Sequence, residues 1–169
     1  MKTLNELIYQ NKIKSQASRF NNVRQLEALI KSYNGLDWRQ HLKTENGKPA
    51  NTVLLQNEQV KVILIFWEAG QRSKKHGHAE GGGLIKPLTG ILKEIRFDPN
   101  NTDHIIAEHI YTPGQQSYIH DSIAYHIVEN PGLVPAVSLH VYASGISTTK
   151  EIELNNYSMI EKPEGKVAA

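Results

Sequence analysis

Beyond Gly47 the chain breaks into short β-rich runs separated by turn signals, with no helix-length segment between them. The runs are Thr52–Leu55, Val60–Trp67, Leu84–Leu88, Ile91–Phe97, Ile105–Tyr111, Ser117–Ile119, Tyr125–Glu129 and Ala136–Ala143. Between them stand Glu68-Ala69-Gly70, Gly81-Gly82-Gly83, Thr89-Gly90, Asp98-Pro99-Asn100-Asn101, Pro113-Gly114 and Asn130-Pro131-Gly132. Many short strands at close spacing predict a sandwich or barrel rather than a parallel α/β sheet. Glu151–Leu154 is expected to add a last strand.

The region before Gly47 reads differently. Leu4, Leu7 and Ile8 recur at helical spacing, as do Val23, Leu26, Leu29 and Ile30. Asn21 or Asn22 is placed to cap the second helix, Tyr33-Asn34-Gly35 to end it, and a third helix is expected over Leu36–Leu42. At 169 residues the chain suits one domain, a helical segment over about 1–45 and a barrel over about 50–155. The net charge of +2 and the dispersed basic residues argue against a nucleic-acid surface. No apolar run approaches the roughly 18 residues of a membrane span. MKTLNELIYQNKIK lacks the apolar core and cleavage site of a secretory signal, so a cytoplasmic location is expected. The absence of cysteine excludes disulfides, thiolate metal sites and cysteine nucleophiles. A monomer or weak homo-oligomer is expected.

His76-Gly77-His78 is the first constellation with chemistry in it. Residues two apart in an extended segment face the same side, and neutral imidazole is a ligand for iron, zinc, copper and nickel. Gly70, His76, His78 and Gly90 match the spacing of the first cupin motif, except that Gly83 stands where that motif has a glutamate. His126 followed by Asn130 matches the end of the second motif. Ser138, His140 and Tyr142 alternate with Val137, Leu139 and Val141, so the polar groups share one strand face. That face is either turned to water or lines an interior beside a metal.

From about Lys48 to Tyr142 the chain resembles cysteine dioxygenase and its bacterial thiol-dioxygenase relatives. The likeness is strongest over Trp67–His78, over Tyr118-Ile-His-Asp-Ser-Ile-Ala-Tyr-His126-Ile-Val-Glu-Asn130, and over Pro135-Ala-Val-Ser138-Leu-His140-Val-Tyr142. It implies a mainly β cupin, a double-stranded β-helix or jelly-roll barrel, with a short helical N-terminal region. It implies Fe(II) held by His76, His78 and His126, with room left for a bidentate thiol and for O2. Glu80 continues the same-face series, but Gly81-Gly82-Gly83 is expected to bend the chain away from a fourth ligand position. The resemblance also implies that Ser138 bonds His140, which orients Tyr142 toward O2 or the substrate. The partners would be a small-molecule thiol, L-cysteine first among them, and O2. Other readings that keep the cupin are an isomerase or decarboxylase of a small acid, and a binding module without catalysis.

The chain departs from the family at three points. In animal members a cysteine crosslinked to the tyrosine matching Tyr142 occupies the position of Gly83. The arginine that grips the substrate carboxylate falls on Ala50, in Lys48-Pro49-Ala50-Asn51, and alanine holds no carboxylate. Lys48, two residues away and on the same face of an extended segment, is the first candidate to replace it, with Arg72 and Lys75 in reserve. Ala143-Ser144-Gly145 replaces the family's Ser-Pro-Pro after Tyr142. His41, His104, His109 and His120 match no ligand position and read as surface residues, while Phe66, Trp67 and Tyr125 read as packing.

Overall fold

The computed structural model describes residues 2–42, 51–78 and 80–144. Lys48, Ala50 and the strand expected over Glu151–Leu154 lie outside them. Helix α1 spans Leu4–Ser15; Thr3 caps it by accepting from the Glu6 amide, while Glu6 accepts from the Thr3 amide. A 3-10 turn over Val23–Leu26, capped by Asn22, runs into α2 over Glu27–Ser32. In place of the helix expected over Leu36–Leu42 there is a single 3-10 turn, Asp37–Gln40. The Asp37 carboxylate is committed elsewhere: it accepts from the Leu4 amide at 2.7 Å and from the Tyr33 hydroxyl at 2.8 Å. It therefore caps α1 and ties the two helices together instead of starting a third.

The strands are β1 (Asn51–Gln56), β2 (Val60–Trp67), β3 (Gly83–Thr89), β4 (Leu92–Asp98), β5 (Asn101–Tyr111), β6 (Ser117–Ile119), β7 (Tyr125–Glu129) and β8 (Ala136–Ala143). All eight lie within two residues of the expected bounds except β5. It starts at Asn101 rather than Ile105 because Asp98 pairs with Asn101 across a tight turn. The polar residues Asn101–His104 sit on a solvent-exposed edge strand, where composition is a poor guide.

One sheet has the order β1-β2-β8-β3-β6 and the other β5-β4-β7, with every pairing antiparallel. In the β2–β8 register Val62 lies opposite Val141, and Leu64 opposite Leu139. These face outward and meet Leu4, Leu7, Leu26, Leu29, Ile30 and Tyr33 of the helical region. On the other face Ile63, Ile65, Trp67, Ile85 and Tyr142 meet Leu92 and Val128 of the second sheet. β8 is thus buried on both faces, which decides between the two readings of its polar side. Ser138 is 0 % exposed, His140 1 % and Tyr142 3 %. The helices cover the aliphatic face, so the polar face closes the interior.

Lys86 sits on the helix side of β3, opposite Leu139. Its ammonium donates to the carbonyls of Ile30 and Lys31, both at 2.9 Å, and of Tyr33. These carbonyls lie at the end of α2, where the last turn runs out of helical donors, and that of Ile30 also accepts from the Tyr33 amide at 3.2 Å. Lys86→Met should therefore take this donor away from the Lys31 and Tyr33 carbonyls and destabilise the protein by roughly 2–4 kcal/mol. Equilibrium denaturant unfolding measures this, and the loss should appear in the midpoint rather than as a separate early transition.

Candidate metal centre

The segment Gln71–His76 runs antiparallel along β7 and extends the second sheet. The amide of His76 donates to the His126 carbonyl and that of His126 to the His76 carbonyl, both at 3.0 Å. Ser73 reinforces the pairing, its amide donating to Val128 O at 2.8 Å and its hydroxyl accepting from Val128 N at 3.0 Å. Asn130 closes the far end. Its side-chain amide donates to the carbonyls of Trp67, Glu68 and Val134, and its backbone pairs with Gly70 and Gln71. The two motif halves are therefore joined by backbone pairing, which puts His76 directly opposite His126.

Gly77 has a specific reason to be glycine. A Cβ there would lie 2.6 Å from Asp121 Oδ1 and 2.7 Å from Tyr125 Cε1. With no side chain in the way, Asp121 accepts from the His78 amide at 2.5 Å and fixes the backbone that aims His78 inward. Tyr125, read as packing, closes on this turn.

The three imidazoles converge. One nitrogen from each of His76, His78 and His126 lies within 4.8 Å of the others. His76 Nδ1 donates to the Lys74 carbonyl at 2.7 Å, which leaves Nε2 as the electron-pair donor. His126 Nδ1 donates to Glu94 at 2.7 Å, so its Nε2 also points inward, 3.1 Å from that of His76. His78 is 1 % exposed, and neither ring nitrogen has a hydrogen-bond partner among the described residues. Burial, then the charge of His126, holds the His76 ring down at about 3, and burial likewise pushes His78 well below its ordinary value. Two nitrogen lone pairs facing each other at van der Waals distance, beside a third ring with orphaned nitrogens, are what a divalent transition metal would satisfy.

Glu94 was not singled out from the sequence. Leu92-Lys93-Glu94-Ile95-Arg96 reads as a half-exposed strand, yet β4 pairs Arg96 with His126 and Glu94 with Val128. That register turns Glu94 and Arg96 inward. Oε1 takes the His126 proton donor; Oε2 accepts from Arg96, from Ser117 at 2.8 Å and from Tyr111 at 3.1 Å. Burial alone would raise this carboxyl, but His126, Arg96 and Ser117 outweigh it and hold it at about 2. Glu94 is thus a carboxylate aimed at the outer nitrogen of a ligand-type histidine.

On the opposite wall Ser138 Oγ lies 2.6 Å from His140 Nε2, and His140 Nδ1 lies 2.5 Å from the Tyr142 hydroxyl. Tyr142 stacks on His78, ring centroids 5.5 Å apart. This joins the line of polar side chains to the histidine cluster. Trp67, read as packing, is also part of it: its indole donates to Ser138 Oγ at 2.8 Å. A sequence does not reveal such a contact, because it forms diagonally across the β2–β8 register.

The family model for cysteine dioxygenase type I matches residues 2–154. Cysteine dioxygenase type 1 of Rattus norvegicus is 31% identical over 135 residues, covering 75% of this chain and 68% of its own. The Danio rerio protein of that name is 30% identical over 152 residues, covering 85% and 72%. The chain belongs to the cysteine dioxygenase type I family. Its fold is that of a cupin. An RmlC-like cupin with a double-stranded β-helix fold from Methanocaldococcus jannaschii superposes with a TM-score of 0.50 at 17% identity, covering 68% of this chain and 92% of its own.

Within that family, Gly83 has a structural explanation. A Cβ there would lie 2.9 Å from His78 Cδ2 and 3.1 Å from Tyr142 Cδ1, so the two rings occupy the space a motif glutamate would need. Gly81 and Gly82 have φ of 101° and 75°, the bend expected of the triple glycine. Glu80 is exposed at that bend and stands outside the three-histidine group. Neither reserve cation faces the histidines. Arg72 pairs opposite Glu129, on the face that carries Lys93. Lys75 reaches outward to the Thr102 carbonyl, Asp103 and the Phe97 ring. His104 and His109 are exposed, while His41 and His120 are partly buried, His120 bonded to Ser122 in its own turn.

Glu94→Gln tests the carboxylate behind His126. The substitution keeps the shape and removes the charge, and should weaken divalent-metal binding by about 10-fold to 100-fold. Competition against a chromogenic chelator measures this, with circular dichroism showing that the fold is retained.

Proposed function

We propose that this protein is a non-haem Fe(II) thiol dioxygenase that converts R–SH and O2 to the sulfinic acid R–SO2H. Both oxygen atoms enter the product, and sulfur supplies the four electrons, so no external reductant is needed. The observation that carries this reading is the set of three converging histidines without a carboxylate among them, beside the Ser138–His140–Tyr142 line. His76, His78 and His126 would hold the iron. Bound iron would supply a Lewis acid that keeps the thiol as thiolate near O2.

The chain's own residues supply the rest. Ile63, Ile65, Ile85, Leu92 and Val128 make the interior around the site apolar, which excludes water and strengthens the hydrogen bonds inside. Glu94 holds the His126 ring in the tautomer that presents Nε2. Tyr142, steadied by His140, is the group positioned to hydrogen-bond the reactants. L-cysteine is the first candidate substrate, with Lys48 as its carboxylate anchor in place of the family arginine at Ala50. Arg96 does not serve, because Glu94, Ser117 and the Tyr118 carbonyl already use its guanidinium.

Metal analysis of anaerobically purified protein, followed by oxygen uptake with L-cysteine, cysteamine and 3-mercaptopropionate, tests the proposal. Uptake with one thiol and a product heavier by two oxygen atoms is the expected outcome; no uptake with any of them would return the isomerase and binding-module readings. His76→Ala, His78→Ala and His126→Ala should each abolish stoichiometric iron binding at near-native secondary structure. An iron-replete variant would remove that residue from the set. Tyr142→Phe should bind iron and turn over about 10-fold to 10³-fold more slowly, the scale for a positioned donor or acid. For the anchor, Lys48→Ala should raise KM for the carboxylate thiols by about 30-fold or more and leave cysteamine unaffected. Ala50→Arg should shift preference toward L-cysteine.

A further inference from the structure

The geometry points to Trp67 as the residue that sets the direction of the Trp67–Ser138–His140–Tyr142 hydrogen-bond line, so that Tyr142 accepts from His140 and turns its own proton away from it. This rests on the thiol dioxygenase reading only for its effect on turnover. The direction follows from the donors. An indole nitrogen only donates, so the 2.8 Å contact occupies a lone pair of Ser138 Oγ. Ser138 is 0 % exposed, and among the described residues its hydroxyl bonds only Trp67 and His140. Its proton therefore goes to His140 Nε2, because the reverse arrangement leaves a buried hydroxyl proton with no acceptor. Donation from Trp67 also polarises that hydroxyl, which makes it a better donor and a poorer acceptor.

The consequence runs down the strand. A neutral His140 that accepts at Nε2 carries its proton on Nδ1, which lies 2.5 Å from the Tyr142 hydroxyl and donates to it. The phenol proton then points elsewhere than His140. With the line reversed, Tyr142 would spend its proton on His140 and could only accept from a reactant. Trp67 is thus a positioning residue. It lies on β2, one strand away from the line it orients, and touches neither the histidine cluster nor Tyr142 through its donor.

The test reads the His140 tautomer directly, by long-range proton–nitrogen correlation in full-length 15N-labelled protein loaded with diamagnetic Zn(II). His140→Gln identifies the signals. The expected wild-type pattern is a protonated Nδ1 and an unprotonated Nε2. Trp67→Phe should convert this to a mixture of tautomers. Where that variant does not fold, replacing tryptophan by its benzothiophene analogue removes the N–H at unchanged ring size. Trp38, the other tryptophan, has a buried indole nitrogen without a partner among the described residues, so the His140 response reports position 67. A wild-type His140 protonated at Nε2 overturns the proposal, as does an Nδ1–H tautomer unchanged once the indole N–H is gone. In the iron-loaded enzyme, loss of that N–H should lower kcat by about 10-fold to 100-fold at unchanged iron content. The tautomer result stands or falls without any thiol being oxidised, so failure of the substrate panel and failure of this inference are separate outcomes.

Discussion

The backbone pairing of Gln71–His76 with β7 is the interaction on which the site depends. An antiparallel bridge between His76 and His126 holds their Cα atoms opposite each other with two hydrogen bonds, so that both imidazoles reach the same space. Asn130 anchors the same pairing from the other end by holding the Trp67–Gly70 turn. The motif residues are therefore of two kinds. The histidines face the interior, while Asn130 and Gly77 make it possible for them to meet.

Burial of polar groups sets the second constraint. The space between the sheets holds histidines, a carboxylate, an arginine, two serines and two tyrosines, each of which would be costly there alone. The structure answers with two separate networks. Glu94 gathers His126, Arg96, Ser117 and Tyr111 on the β4 side, and Trp67, Ser138, His140 and Tyr142 form a line on the β8 side. His78 stands between them, with no hydrogen bond to either ring nitrogen and Tyr142 stacked on its face. Among the described residues, the two networks satisfy the polar groups that line them, and the unbonded nitrogens of His78 remain between them.

What could be read beforehand followed from local pattern. Short β-rich runs between turn signals located all eight strands, with only the start of β5 displaced, and the two motif halves, His76-Gly77-His78 and His126 with Asn130, singled out the cluster through the family resemblance that they carry. Glu94 and Trp67 escaped for opposite reasons. Glu94 beside Lys93 and Arg96 looks like a solvated strand face, and only the pairing of Arg96 with His126 turns it inward. Trp67 looks like core, as it is, but an indole N–H gains a role only from what lies diagonally across the sheet.

The sequence by itself determined the strands, the helical N-terminal segment, the His76–His78 pair and the polar side of β8, since each is a matter of residue type at a fixed short spacing, while His126 joined the pair through the second motif half and the resemblance. Tertiary structure decided which side of β8 is interior, because its aliphatic face is also covered, by α1 and α2. It decided as well that Arg72 and Lys75 face away from the histidines and that a buried carboxylate stands behind His126. Those outcomes depend on register between strands far apart in the chain. A shift of one residue exchanges the two faces, and no local pattern in either strand records it.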